Sequence, residues 1–206
     1  MDKVINNNGY DYVDLGLPSG TLWAACNVGA SVPFTTGFYF QWGDTQGYFA
    51  REIGIDKRFT WGDYKWNPSG DGKTFTKYAE PGTTLELEDD AAHVHMGGDW
   101  HMPTPEQIQE LLDNTISTWE TLYGVNGRLF TSKNDNSKSI FFPASGYALY
   151  GTLYFNGISG SLGYVWSSML NKYIINLGQN FAFHSKCAFT WCHDRNYGLP
   201  VRGVIG

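Results

Sequence analysis

Three cysteines, five histidines and a group of closely spaced carboxylates are the residues of this 206-residue chain whose types could do chemistry. Cys187 and Cys192 stand five positions apart in Cys187-Ala188-Phe189-Thr190-Trp191-Cys192, and two thiolates suit a soft ion such as Cu(I). His93-Val94-His95, together with Asp89, Asp90, Asp99 and His101, offers nitrogen and oxygen ligands for a metal. On a helix, positions i and i+2 diverge, which favours solvated side chains over a shared ion. No Ser-His-Asp order, phosphate-cradling loop or Cys-x2-Cys pair occurs. The expectation from these residues is a protein that is not an enzyme, with no catalytic residues, no cofactor and no metal.

Recognition chemistry is denser near the C-terminus. Between Tyr173 and Tyr197 the chain is rich in Tyr, Phe, His and Trp. Displayed Tyr, Phe, His and Trp supply large contact area at low entropic cost, and their polar tips add hydrogen bonds, which suits a protein or glycan ligand. The competing reading makes Ile174, Phe181, Phe183 and Phe189 inward-facing strand residues. Strand alternation must bury some of them, because it turns neighbours such as Phe181 and Ala182 to opposite faces.

The elements that must position these groups are read from composition and pattern. Aromatic residues make up 17% of the chain, glycine contributes 25 residues and charged residues only 17%, which points to short strands, tight turns and ordered loops rather than a helical bundle. Tyr10 to Gly20 reads as a strand entering a turn, and Thr21 to Gly29 as a second strand. From Gly47 to Gly82 aromatics alternate with Gly, Asp, Asn and Lys without a sustained period, so an ordered loop pinned by its rings is expected. Thr104-Pro105-Glu106-Gln107 supplies an N-cap, a first-turn proline and a capping-box Gln for one helix. Leu85 to Met96, stopped by Gly97-Gly98, is the other. After Gly127 the pattern is strand and turn: a hairpin from Arg128 to Ser132 and Ser139 to Phe142, then strands at Gly163 to Ser168, Tyr173 to Leu177, Asn180 to His184, Ala188 to Cys192 and Pro200 to Ile205. These elements predict an α+β protein folded as one domain over residues 1–206.

Net charge is −6 and the 14 basic residues are scattered, so no positive stripe exists to neutralise phosphates and nucleic acid is excluded as a partner. The N-terminus carries no apolar signal core, and no apolar run reaches the length of a membrane span, so the chain is expected to carry no targeting signal of its own and not to insert into a membrane. An odd cysteine count leaves at least one thiol unpaired.

Several blocks, taken together, carry a family resemblance. They include Tyr12-Val13-Asp14-Leu15-Gly16-Leu17-Pro18-Ser19-Gly20, Cys26-Asn27-Val28-Gly29-Ala30, Tyr39-Phe40-Gln41-Trp42-Gly43-Asp44, Gly98-Asp99-Trp100-His101-Met102-Pro103-Thr104, Phe142-Pro143-Ala144-Ser145-Gly146-Tyr147, Gly163-Tyr164-Val165-Trp166-Ser167-Ser168 and Gly198-Leu199-Pro200-Val201-Arg202. In this order they resemble the Fibrobacter major paralogous domain family, although His101 stands where that family usually has Arg. The resemblance implies a C-type-lectin-like fold of the formylglycine-generating-enzyme branch: two helices plus short antiparallel strands and long ordered loops. It also implies a non-enzymatic protein on a bacterial cell surface or phage particle that binds a protein or glycan ligand on a cell surface.

Some members of that branch are variable proteins of diversity-generating retroelements, in which chosen codons near the C-terminus are rewritten. By that resemblance Trp166-Ser167-Ser168 opens the variable stretch and Val201-Arg202 closes it, which implies a C-terminal binding region at about 164–204 whose expected ligand-binding residues are Tyr173, Ile174, Phe181, His184, Cys187, Phe189, Trp191, His193, Asp194 and Tyr197, while Trp100 and Trp166 belong to the core. Oxidising enzymes of the fold bind copper through a C-terminal Cys-x4-Cys pair, so a copper-dependent oxidase using Cys187 and Cys192 is one alternative and a structural adhesin module another. The segment after Cys192 is much shorter than in those enzymes. The Glu-Pro-Asn type tripeptide of calcium-dependent sugar binding is absent.

Overall fold

A computed structural model of the chain describes residues 5–154 and 160–206. Asn8 and Gly9 both take positive φ, 52° and 85°, as a two-residue type I′ turn requires, and they join β1 (Ile5–Asn7) to β2 (Tyr10–Val13). Strand β3 (Leu22–Ala24) pairs antiparallel with β2. From residue 47 to 82 the chain is an ordered loop with short 3-10 turns at Ala50–Glu52 and Trp61–Asp63, and Phe59, Tyr64, Trp66, Phe75 and Tyr78 anchor it in the interior.

The first helix is shorter than the pattern predicts. Leu87–Asp89 is a 3-10 turn, and α1 spans only Ala91–Met96. Asp90 is the reason: its backbone is extended, and its carboxylate accepts the His93 N–H at 3.0 Å and the Met102 N–H at 2.8 Å, so the helix must begin after it. Helix α2 (Pro105–Asn114) starts as its sequence dictates, with reciprocal bonds between Thr104 and Gln107 at 2.9 and 3.2 Å. It buries Ile108 and Leu111.

The remaining strands are β4 (Thr115–Leu122), β5 (Val125–Ser132), β6 (Ser139–Pro143), β7 (Tyr147–Leu149), β8 (Thr152–Tyr154), β9 (Leu162–Leu170), β10 (Leu177–His184), β11 (Ala188–Asp194) and β12 (Val204–Ile205). Two expectations need correction. Tyr173 to Leu177 is not a strand, because the Asn171 carboxamide accepts the N–H groups of Tyr173 (2.9 Å) and Ile174 (3.1 Å) and holds a turn; extended structure resumes at Leu177. Of Pro200 to Ile205 only Val204–Ile205 is a strand.

The sheets run β1-β2-β3-β12, β4-β5-β6, β7-β8 and β11-β10-β9, and every strand pair is antiparallel. With two helices this is an α+β protein. The β9–β11 sheet is packed on both faces. Val165, Phe181 and Phe183 meet Ile108 and Leu111 of α2 with Phe130 and Phe142, while Tyr164, Trp166 and Ala182 join the cluster of Trp42, Met96 and Trp100. Trp100 and Trp166 are fully buried. Two arginines, Arg195 and Arg202, are fully buried as well; each is held by neutral acceptors and aromatic faces. Among the described residues no helix is long and apolar enough to cross a membrane.

Candidate ligand-binding site

Strand β11 is the edge of its sheet, and its register on β10 decides what it shows. Asn180 lies opposite Trp191, Ala182 opposite Phe189 and Gly178 opposite His193, so Phe189, Trp191 and His193 share a face. Among the described residues no fourth strand pairs with this edge, and Trp191 is 56% exposed. Phe189 stands edge-on to Trp191 at 6.0 Å between ring centroids, and His184 lies 5.9 Å from Phe189.

Toward the other end of β11 the rings close into a cluster. His193 lies 4.8 Å from Tyr164 and 5.0 Å from Tyr197, and Tyr197 lies 5.3 Å from Tyr147, which stacks on Tyr154 at 5.0 Å. The β7–β8 hairpin brings Tyr147 and Tyr154 here through the turn Tyr150-Gly151, whose φ values of 50° and 77° again fit the type I′ geometry. Tyr150 is exposed at its tip.

Electrostatically the face is neutral. Burial pushes the His193 pKa down to about 4, and its Nδ1 accepts a hydrogen bond from the Asn180 carboxamide at 3.0 Å, so the imidazole is uncharged at neutral pH. Burial also raises the hydroxyl pKa values of Tyr147, Tyr164 and Tyr197, which keeps them as protonated donors. Asp194, on the opposite face of the strand, is raised by burial and steadied by the Asn176 carboxamide at 2.8 Å.

The His193 shift carries a pH prediction. Between about pH 6.5 and 4 the unfolded chain binds a proton that the folded chain refuses, so this group lowers stability as pH falls through that window and contributes nothing above it. The loss between pH 7 and 5 amounts to at most about 2 kcal/mol. Urea denaturation of wild type and His193→Gln at both pH values tests this, since the variant lacks the titrating group; equal pH slopes in the two proteins would contradict it.

The structure links His184 with Cys187, Phe189 and Trp191, and His193 with Tyr197, but it does not bring all the residues singled out in the sequence together. Tyr173, Ile174, Cys187 and Trp191 are exposed; His184, Phe189, His193, Asp194 and Tyr197 are half-buried. Phe181 is a correction: it is fully buried, because its register opposite Thr190 and Val165 turns it to the face that packs on Phe130, Phe142 and Phe183. Pattern reasoning missed Tyr147, Tyr150, Tyr154 and Tyr164. The alternation of Tyr147-Ala148-Leu149-Tyr150-Gly151-Thr152-Leu153-Tyr154 about a Tyr-Gly turn was the available signal.

The candidate metal ligands are committed elsewhere. Cys187 lies in the turn just before β11 and Cys192 within it, five positions along a nearly extended chain and so on the order of 15 Å apart, too far to share an ion. His93 faces the Trp100 carbonyl at 3.1 Å, His95 the Thr45 carbonyl at 2.9 Å and His101 the Met102 carbonyl at 3.0 Å. Glu86, Glu88 and Asp89 are close enough to hold a cation, but the Lys77 ammonium pairs with all three at 2.6 to 2.9 Å.

An α+β protein with an uncharged aromatic face on an open edge strand is what fold and site define. Comparison of the chain with protein-family models, with curated proteins and with solved structures returned no match.

Proposed function

We propose that this chain is a ligand-binding display protein whose recognition surface is the aromatic face of β11, with the exposed Tyr173 and Ile174 as a further part of it. The observation that carries this is Trp191, 56% exposed at the middle of an edge strand and backed by Phe189 and the His193–Tyr197–Tyr147 rings. Rigid rings held by strands are already in place for contact, so little ordering cost remains on binding. The ligand is a protein or glycan on a cell surface.

In the same reading the fold is C-type-lectin-like and the protein works on a bacterial surface or phage particle, without catalysis of its own. The burial profile supports a diversified stretch between the two landmarks. Trp166, Ser167, Ser168, Val201 and Arg202 are all buried, as sites under fixed packing demands must be, whereas Tyr173, Ile174, Cys187, Thr190 and Trp191 between them reach solvent. Substitutions at such exposed positions change stability by only about 0.5 kcal/mol, which leaves side-chain identity free to vary.

The test screens the protein against a glycan array and a panel of bacterial surface proteins, then repeats the positive interaction with Trp191→Ala and Tyr173→Ala. Aromatic anchors of this kind contribute about 2 kcal/mol or more, so a loss of roughly 30-fold in affinity is expected from Trp191→Ala with an unchanged denaturation midpoint. Undiminished binding in both variants would place recognition elsewhere.

A further inference from the structure

Between the loop of residues 29–37 and the turn at Phe49 to Arg51 lies a cavity of about 420 Å³, large enough for a small molecule. None of its lining residues belongs to the β11 face. The lining carries a single charge, that of Arg51. Arg51 is exposed, its guanidinium stands 4.6 Å from the centre of the Phe49 ring, and among the described residues it forms no ion pair. No carboxylate lines the cavity, although the chain has a net charge of −6. The neighbouring Glu52 carboxylate is turned to the Phe49 N–H at 2.6 Å.

The loop adds backbone donors. Gly29 and Gly37 take positive φ, 82° and 74°, and a Cβ at Gly37 would come 2.2 Å from the Val28 carbonyl oxygen, so a larger residue does not fit there. The Thr36 carbonyl accepts the Asn27 carboxamide at 2.9 Å, and Asn27 in turn accepts from the buried Arg202 at 2.7 Å. In a trans peptide the N–H lies opposite the C=O, so the Gly37 N–H points away from Asn27. By the same rule the Gly29 N–H points away from Phe38, whose N–H the Val28 carbonyl accepts at 2.9 Å. Neither N–H has a partner among the described residues, and neither do the N–H and hydroxyl of the exposed Ser31.

We propose that this cavity is a binding site for the oxyanion group of a small molecule, a carboxylate or a phosphate, held by the Arg51 guanidinium and the donors of Gly29, Ser31 and Gly37. The proposal stands independently of the recognition surface on β11. A planar guanidinium presents paired N–H donors that match both groups, and free backbone N–H groups accept the same charge. A neutral ligand would leave the guanidinium uncompensated.

The experiment follows the backbone amide resonances of the ¹⁵N-labelled protein at constant ionic strength. Three probes are titrated separately: inorganic phosphate, glucuronate, and glucose as the neutral control. Saturable shifts are expected at Gly29, Ser31, Gly37 and Arg51 with at least one of the two anions and not with glucose, and the anion that saturates identifies the oxyanion. Arg51→Met keeps an apolar stem on Phe49 and removes the charge, so it should weaken binding about tenfold or more; Arg51→Lys, without the planar fork, should fall between the two. Unchanged amide resonances away from the cavity confirm that each variant is folded. If Arg51→Met does not fold, Arg51→Lys decides. The absence of saturable shifts at these amides with both anions, equal shifts with glucose, or undiminished affinity in the folded variant overturns the proposal.

Discussion

Replacing Arg202 with Met should remove most of the stability of this protein. The guanidinium is fully buried and donates to the Asn27 carboxamide at 2.7 Å, to the Ala24 and Ala25 carbonyls at 3.0 and 2.9 Å, and to the Phe141 carbonyl at 3.2 Å. It also covers the Phe142 ring at 4.5 Å. One side chain thus ties the region of β3 and β6 to the C-terminal segment. Methionine is apolar and has no donor, so four acceptors lose this partner. At about 1 to 3 kcal/mol for each group left unsatisfied, the cost exceeds about 4 kcal/mol, against a total of about 5 to 15 kcal/mol for a typical protein.

Among the described residues no carboxylate pairs with Arg202, yet burial pulls its pKa down only to about 10, so it remains charged at neutral pH and carbonyl dipoles carry the compensation. Lysine at this position keeps a charge but not the planar fork, and should recover only part of the loss. Urea denaturation midpoints for wild type, Arg202→Met and Arg202→Lys give the measurement. A methionine variant within 1 kcal/mol of wild type would refute this account of the residue.

Trp166→Ala should cost about 3 to 5 kcal/mol. The indole fills the interior between β9 and β10 opposite Asn180, packs in the cluster of Trp42 and Trp100, and donates from Nε1 to the Phe40 carbonyl at 2.8 Å. Truncation opens a cavity that the paired strands cannot collapse into and removes the indole's bond to that carbonyl, which still accepts the Leu199 N–H at 3.0 Å. Trp166→Phe isolates the second effect, since it retains much of the apolar volume, and should cost about 1 kcal/mol for the lost hydrogen bond. If Trp166→Ala proves as stable as wild type, the β9–β11 sheet does not have the two-sided packing on which the display face rests.

These two residues show why parts of the fold were legible in advance. Thr104, Pro105 and Gln107 determine the start of α2 through contacts within four positions, and such contacts are written in local sequence. The same holds for the burial of Ile108 and Leu111, which follows from helical spacing. The Leu85 to Met96 helix was overextended because Asp90 is bound to the distant Met102 N–H as well as to the local His93 N–H. The strand expected at Tyr173 failed for a local reason, the carboxamide of Asn171, which competes with the backbone ladder.

The sequence by itself determined an α+β protein, an aromatic-rich and weakly charged chain, the cap of α2, and a C-terminal segment crowded with groups suited to recognition. Those follow from composition, spacing and short-range hydrogen bonding. Only the tertiary structure decided which of the crowded residues face outward. Phe181 and Trp191 are both large and apolar and lie on adjacent strands; antiparallel register turns Phe181 toward Phe130 and leaves Trp191 on an edge that no strand covers. It also recruited Tyr147, Tyr154 and Tyr164 to His193 across long separations in sequence, and it kept Cys187, before β11, apart from Cys192 within the strand. The physical reason is common to all three: alternation along a strand sets two faces, but what lies above each face depends on partners that no local window of sequence contains.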